Sequence, residues 1–420
     1  MPLERRQLGS SVCPPAHAGL AVTEGGSVSS SRDAGFVHLD PIELAIKTLA
    51  EGKAVVVVDD EGRENEGDLI FPASTATAEQ TAFMVRHTSG FICVGMTGSE
   101  LDRLHLPPMT VVNEDRKGTA YSVTVDAKAV RATGISAEDR ATTIRVLADS
   151  ATTPEDLTRP GHVMPLRAVP GGVLRRPGHT EAAVDLVRLA GLPAAGALCE
   201  LVNDDGSMMD ASACREFCDE HGLPLVSIAD LIRYRLAHET LVQRVADSVI
   251  PTIHGSFRAI AYRSTVDSSV HVALVHGEIN EGKDVLVRVH AECPLGDVFG
   301  SELCSCRQKL QGALSMISAE GRGVLVYVRP QADQVPLADH PSLGHFEPED
   351  PSATSDDLDY GTGTQILTDL GVRSMRLITA HPDRRYRLEP FGLSITGTRE
   401  ARQAEPTGPA SLTVSVEHHD

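Results

Sequence analysis

The chain has 420 residues, 41% of them hydrophobic, which is enough for two ordinary cores and argues against disorder throughout. A net charge of -20 argues against a nucleic-acid partner, because phosphate backbones are held by basic surfaces. No run of about eighteen apolar residues predicts a membrane span, and the amino terminus lacks the basic-then-apolar pattern of a secretory signal. The expected location is therefore cytoplasmic, where eight cysteines are read as reduced thiols or metal ligands and not as a disulfide framework.

Residues 1–37 are rich in Gly, Ser and Pro without apolar periodicity and are read as a disordered extension. The fold is predicted to begin at Asp40, with that residue capping a helix, Pro41 at its first position and Glu43 completing a capping box. Ile42, Ala45, Ile46 and Leu49 form one apolar stripe that stops at Gly52. The unbroken run Ala54 to Val58 then reads as a strand buried on both faces. Its carboxyl end releases Arg63-Glu64-Asn65-Glu66-Gly67-Asp68, at the place where open mixed or parallel sheets put their ligands.

Further strands are expected at Gly90 to Val94, Ser122 to Val125 and Ala197 to Val202. Helices are expected at Asp139 to Ala148, Thr180 to Ala190, Ala211 to His221 and Ile228 to about Val245. The last of these, closed by Pro251, marks the domain junction. This divides the chain into a first domain over 38–238, a linker helix over 239–252, a second domain over 253–400 and a disordered tail over 401–420. The second domain reads as strands at Ser256 to Tyr262, His271 to Val275 and Val285 to His290, a helix at Leu310 to Ala319 and a strand at Gly323 to Val328. From Pro330 to about Asp357 periodicity fails, which is long for a loop inside a compact domain. A helix at Gly361 to Leu370 and a strand at Met375 to Thr379 follow, with an unstructured tail after about Gly397. The fold class is α+β: two domains of α/β-type mixed sheets with flanking helices.

Polar density concentrates in four segments of the first domain: the hexapeptide, Ser136 to Thr143, Arg159 to His162 and Arg175 to Thr180. Arg-Pro-Gly-His occurs twice, and proline rigidity with glycine's tight approach holds each imidazole on a loop. In the second unit Thr180 would cap the following helix, so that its hydroxyl and the first amides face an anion with Arg176 nearby. His179 with Glu64 would supply a nitrogen and an oxygen ligand to a hard divalent ion. Glu200, inside the apolar run Ala197 to Val202, is either paired or shifted by desolvation and is a candidate acid or base. Cys93 and Cys199 lack a neighbouring activating base and read as core thiols, while Cys214 and Cys218 share a helix face and read as packing.

These segments, in this order, resemble 3,4-dihydroxy-2-butanone 4-phosphate synthase of riboflavin biosynthesis over about residues 40–238, a likeness that also takes in Gly134-Ile135-Ser136-Ala137 and Gly171 to Leu174. The resemblance implies a lyase that converts ribulose 5-phosphate into formate and a four-carbon phosphate, using two magnesium or manganese ions per site. Glu64 and His179 would hold the metal pair, and Arg63 and Asp68 would contact substrate hydroxyls. The run Arg176, Pro177, Gly178, His179 and Thr180 would bind substrate, with Arg176 and Thr180 at the phosphate, and His162 and Glu200 would transfer protons. The family works as a homodimer with sites at the subunit interface, so a homodimer through the first domain is expected.

Beyond the junction the chain resembles GTP cyclohydrolase II. Arg288 to Cys293, Gly296-Asp297 and Cys304-Ser305-Cys306 match that family's zinc loop, which makes Cys293, Cys304 and Cys306 candidate zinc ligands. The remainder departs. Ser305, Arg307 and Lys309 stand where the family has Asp, Gly and Gln, and the Pro- and Asp-rich stretch after Arg329 replaces its phosphate loop. Its Asp-x-Arg pair appears as Asp356-Asp357-Leu358, and its Thr-Asn-Asn-Pro-x-Lys segment as Thr379 to Arg384. Leucine supplies no nucleophile, so the expectation is a single-activity lyase with a degenerate second domain. The alternatives are a bifunctional enzyme that also hydrolyses GTP, or a regulatory module that binds a nucleotide or a partner.

Overall fold

The computed structural model of the chain describes residues 37–60, 63–115, 117–130, 132–329, 354–379 and 393–400, with the backbone alone over 354–360. The expected disordered extension and tail, most of the aperiodic stretch after Pro330 and most of the Thr379 to Arg384 segment lie outside these residues.

The first domain runs α1 (Ile42–Ala50), β1 (Val55–Val58), β2 (Gly67–Pro72), α2 (Ala78–His87), β3 (Cys93–Thr97), α3 (Gly98–Arg103), β4 (Val125–Ala127) and α4 (Ala137–Ala148). It continues with β5 (Leu157–Ala168), α5 (His179–Leu189), β6 (Ala195–Glu200), α6 (Ala211–His221), β7 (Leu225–Ser227) and α7 (Ile228–His238). Its seven strands form one mixed sheet in the order β4-β5-β3-β6-β2-β1-β7. Strand β1 pairs antiparallel to β2 and parallel to the edge strand β7, so the valine run has a neighbour on each side and is fully buried, as its lack of alternation requires. Helix α1 buries Ile42, Ala45 and Leu49 against a core shared with α5 and α7.

Two first-domain expectations change. The α1 cap position is Pro41, and the Asp40 carboxylate instead accepts from Leu225 N (2.8 Å) and Arg215 Nη1 (2.9 Å), which ties the chain's entry to β7 and α6. Arg159 to His162 lies within strand β5, not on a loop. Gly161 is needed there because a Cβ would stand 1.9 Å from the Val125 carbonyl carbon of β4.

The second domain runs β8 (Val242–Thr252), β9 (Gly255–Ser264), β10 (Val270–His276), β11 (Val285–Ala291), α8 (Pro294–Asp297), α9 (Cys306–Glu320), β12 (Gly323–Val328), α10 (Thr354–Asp369), β13 (Ser374–Ile378) and β14 (Ser394–Arg399). Its sheet order is β14-β13-β11-β12-β10-β9-β8, with one core between the sheet and α10 and another under α9. The expected linker helix over 239–252 is a strand. Helix α7 stops at His238, and β8 pairs antiparallel with β9 from Val242↔Ser264 to Thr252↔Gly255. Here β-branched residues and Pro251 on an edge strand override a weak helical period. The segment after Gly397 likewise belongs to a strand, because β14 adds parallel to β13. Among the described residues no helix is long and apolar enough to cross a membrane.

Candidate active site

Arg63 to Glu66 of the hexapeptide belong to the connection between β1 and β2, Gly67 and Asp68 open β2 itself, and Asp59 organises the turn. Its buried carboxylate accepts from Glu64 N (3.1 Å), Glu66 N (3.0 Å) and Arg63 Nη1 (2.9 Å), so the loop folds around one aspartate and turns Glu64 outward. Arg63 also donates to Glu64 Oε2 at 2.7 Å. Across the sheet, β2–β6 pairing sets Asp68 directly opposite Glu200. Two carboxylates facing each other on adjacent strands destabilise a sheet, so this register points to a site and not to packing. Ser89 Oγ donates to Glu200 Oε2 at 2.7 Å and fixes that side chain.

Helix α5 points its amino-terminal turn at the same place. Its cap is Gly178, not Thr180; His179 and Thr180 occupy the first turn, buried, beside the acidic loop. His179 Nδ1 stands 3.7 Å from Glu64 Oε2 and 3.9 Å from Asp68 Oδ1, distances of electrostatic attraction without a direct hydrogen bond. Burial would depress this imidazole, but Asp68, Glu64 and Asp59 outweigh it and raise it to about 9. Burial pushes Asp68 up to about 7, opposed by His179 and reinforced by Glu200. Glu64 falls to about 2: burial works against its charge, and His179 and Arg63 more than offset it.

Arg176 is held from beneath by the buried Glu181 carboxylate (2.7 Å) and donates to Lys117 O at 3.0 Å. The result is a cleft of about 230 Å³ that gathers Arg63, Glu64, Asp68, Arg176, His179, Thr180 and Glu200. Pro177 and Gly178 are not among its lining residues, and neither is His162. His162 sits at the β4–β5 pairing, where Asp126 accepts from its backbone N (2.9 Å) and lies 2.8 Å from its Nδ1. That contact sets Nδ1–H as the donor and leaves Nε2 for other work.

Glu66 of the hexapeptide also lines the cleft; reading the residues alone missed Asp115, Lys117, Thr119 and Tyr121 there, and Asp126 behind His162. Asp126 carried a signal of the same kind as Glu200, a carboxylate inside an apolar strand segment. Lys117 and Thr119 stand in an aperiodic stretch between α3 and β4, and such length in a compact domain is itself a functional hint. Cys93 and Cys199 are buried, and burial lifts Cys199 to about 12 and Cys93 well above the ordinary thiol range, which suits core residues. Cys214 and Cys218 are likewise buried, each lifted to about 12.

Asp59, Glu64 and His179 offer donor atoms that lie within 4.8 Å of one another. With Asp59 spent on the loop, Glu64, which also accepts from Arg63, and His179 are the donors that face the cleft. Asp68 Oδ1 and His179 Nε2 are buried with no hydrogen-bond partner among the described residues, the condition expected of groups that await a cation or a substrate hydroxyl. In the second domain Cys293, Cys304 and Cys306 also lie within 4.8 Å of one another, with Cys293 and Cys304 Sγ at 3.8 Å. Asp297 steadies that loop by accepting from Cys293 N (2.9 Å) and Tyr327 OH (2.9 Å) and lying 3.1 Å from His290 Nε2. Three thiols so placed could supply three ligands of a tetrahedral zinc ion and would leave its fourth position open. Arg307 is exposed on the first turn of α9.

The 3,4-dihydroxy-2-butanone 4-phosphate synthase family matches residues 43–234, and the GTP cyclohydrolase II family matches residues 243–400. The chain is 55% identical over 374 residues to the riboflavin biosynthesis protein RibBA of Nocardia farcinica, covering 86% of this chain and 90% of that protein. It is 56% identical over 370 residues to RibBA of Salinispora arenicola, covering 86% and 88%. The crystal structure of RibBX, a two-domain 3,4-dihydroxy-2-butanone 4-phosphate synthase from A. baumannii, matches with a TM-score of 0.72 at 36% identity, over 85% of this chain and 99% of that one. The chain therefore belongs to the RibBA family of riboflavin biosynthesis proteins, in which a 3,4-dihydroxy-2-butanone 4-phosphate synthase domain precedes a GTP cyclohydrolase II domain.

Proposed function

We propose that the first domain, over 38–238, is a lyase converting ribulose 5-phosphate to 3,4-dihydroxy-2-butanone 4-phosphate and formate. The observation that carries this reading is the cleft itself, where a carboxylate–imidazole cluster, a helix amino terminus and an arginine converge within the reach of one small sugar phosphate. The phosphate lies against Arg176, Thr180 and the first amides of α5, while Lys117 adds a cation at the rim. Arg63 and Asp68 bind hydroxyls and orient the carbon chain. Glu64 and His179 would hold the two magnesium or manganese ions, which would supply polarisation of the ketone and so acidify the adjacent C–H. Glu200, fixed by Ser89, takes and returns the proton at that carbon, and His162 shuttles a second proton. Because His162 does not line the cleft of one copy, the reading includes a homodimer in which a second copy brings this residue to the site. Purified protein with magnesium should release formate from ribulose 5-phosphate, and no release under any divalent ion refutes the assignment.

The second domain, which begins with β8 at Val242 and runs to about residue 400, keeps the thiol cluster and holds zinc on this reading, but does not hydrolyse GTP. Support comes from Ser305, Arg307 and Lys309 at the recognition positions and from Leu358 in place of the arginine. RibBX, the two-domain relative, is described by its synthase activity alone. A second reading, the bifunctional enzyme, is favoured by the RibBA name of relatives at 55% identity. Formate released from GTP and abolished by Cys304→Ala would establish the second reading. If GTP yields no formate, calorimetry with GTP and with flavin-pathway intermediates separates a regulatory module from a structural one.

A further inference from the structure

The segment that delivers Arg176 and His179 to the cleft starts at Gly171-Gly172, and both glycines are hemmed in. Gly172 (φ 64°) lies so close to Asp185 that a Cβ would stand 2.1 Å from its Oδ2. Gly171 (φ 99°) faces the second domain: a Cβ there would stand 2.8 Å from Cγ1 of Val266, in the turn between β9 and β10. Val266 is half-buried and packs against the first domain's core cluster. Its turn is itself rigid. Ser264 N donates to Ser269 O (2.8 Å), Val266 N to Ser264 Oγ (3.1 Å), and both the amide and the hydroxyl of Ser269 reach Asp267 Oδ1.

A second brace reaches the same loop through α7. Buried Arg235 donates to Gly171 O (2.8 Å) and Asp185 Oδ2 (2.7 Å), and that carboxylate also accepts from Val173 N at 2.8 Å. Arg235 is held by Glu239, whose backbone carbonyl accepts from Gln365 Nε2 on α10 at 2.7 Å. Gln365 also donates to Leu236 O (2.9 Å) and accepts from Leu241 N (2.7 Å), three bonds to the junction from one side chain. The second domain therefore meets this loop directly through Val266 and braces it indirectly through Gln365, which holds the end of α7 that carries Arg235.

We propose that Val266 is a positioning residue for the synthase reaction, a wedge from the second domain that fixes the Gly171–Arg175 loop and thereby holds Arg176 and His179 at the cleft. The proposal rests on the synthase reading above. It also gives the second domain a role in the first domain's chemistry that needs no reaction of its own, because a wedge requires only shape. Loss of the wedge loosens the loop, and since Arg176 serves substrate binding, KM suffers more than kcat.

The test uses the full chain with Val266→Gly, Val266→Ala and Val266→Ile. Hydrogen exchange of the amides in 169–178 should quicken by about tenfold or more in Val266→Gly, less in Val266→Ala, and stay at the wild-type rate in Val266→Ile. KM for ribulose 5-phosphate should rise by about threefold or more in Val266→Gly with a smaller change in kcat, and Val266→Ile should restore it. Unchanged exchange in this segment in Val266→Gly overturns the wedge, as does faster exchange with an unchanged KM. Exchange is read without turnover, so a wild-type protein inert toward the sugar phosphate would sink the synthase reading while the exchange arm still decides whether the wedge exists.

Discussion

Arg235→Met tests whether the loop below the cleft is held by a buried ion network. The guanidinium and its partner Asp185 are both almost fully buried, at 5% and 4% exposure. Removing the cation leaves the Asp185 carboxylate in the interior with only Val173 N and the Arg188 guanidinium at 3.8 Å to offset its burial, and takes the donor from Gly171 O. Breaking a buried pair on one side costs about 3–5 kcal/mol. At about 2–4 °C per kcal/mol for a domain of this size, the melting transition of the first domain should fall by roughly 6–20 °C. Circular dichroism or calorimetry on the full chain reads this directly, and a fall of less than about 3 °C would refute the reasoning, since that is the scale of an exposed pair.

The pH dependence has a definite sign. Burial raises the Asp185 carboxyl above its ordinary value even though Arg235 pulls it down. A raised folded-state pKa gives stability that is complete below the unfolded value and lost as pH climbs through the folded one. Without Arg235 that loss deepens, because only the Val173 amide and the more distant Arg188 guanidinium then oppose desolvation. The gap in melting temperature between Arg235→Met and wild type should therefore narrow as pH is lowered, because a buried carboxyl that has lost its cation takes up a proton more readily. A constant gap would mean that lost packing, not an orphaned charge, explains the defect.

Glu200→Gln and His162→Ala should each lower formate production from ribulose 5-phosphate by about 10²–10⁴-fold while melting stays near wild type, as expected for removal of a proton-transfer group. Mixing inactive Glu64→Ala and His162→Ala homodimers under exchange conditions should restore measurable turnover if sites are shared between subunits, and persistent inactivity would count against the shared site. Lys117→Ala should raise KM by several-fold with little change in kcat, because its ammonium is an exposed rim charge, and the effect should shrink in high salt. Cys304→Ala should abolish zinc content measured by atomic absorption and leave synthase turnover unchanged; retained stoichiometric zinc would remove the thiol cluster from the assignment.

Chemistry was more legible in the chain than geometry was. Helix α6 and strand β12 stand at their expected bounds, because a closing glycine after His221 and a β-branched run after Gly321-Arg322 punctuate them. Strand β2 went unread, since Gly67-Asp68 looked like the end of a polar loop when it is the first pair of a buried strand. The misreading has a physical cause: a site carboxylate occupies a position that packing alone would give to an apolar residue, so the local pattern breaks where the function lies. The same conflict hides β5, where Arg159 to His162 imitates a turn, and its strand conformation becomes visible only through the partner backbone that Gly161 admits. Which imidazole meets the acidic cluster is equally a tertiary fact. The two Arg-Pro-Gly-His units are alike in sequence, yet one opens a helix against three carboxylates and the other pairs with a single aspartate at a sheet edge. Their different surroundings, not their residues, set His179 among carboxylates that a cation would suit and His162 outside the cleft, and it is this placement that makes His162 and not His179 the residue on which the proposed sharing of sites between two copies depends.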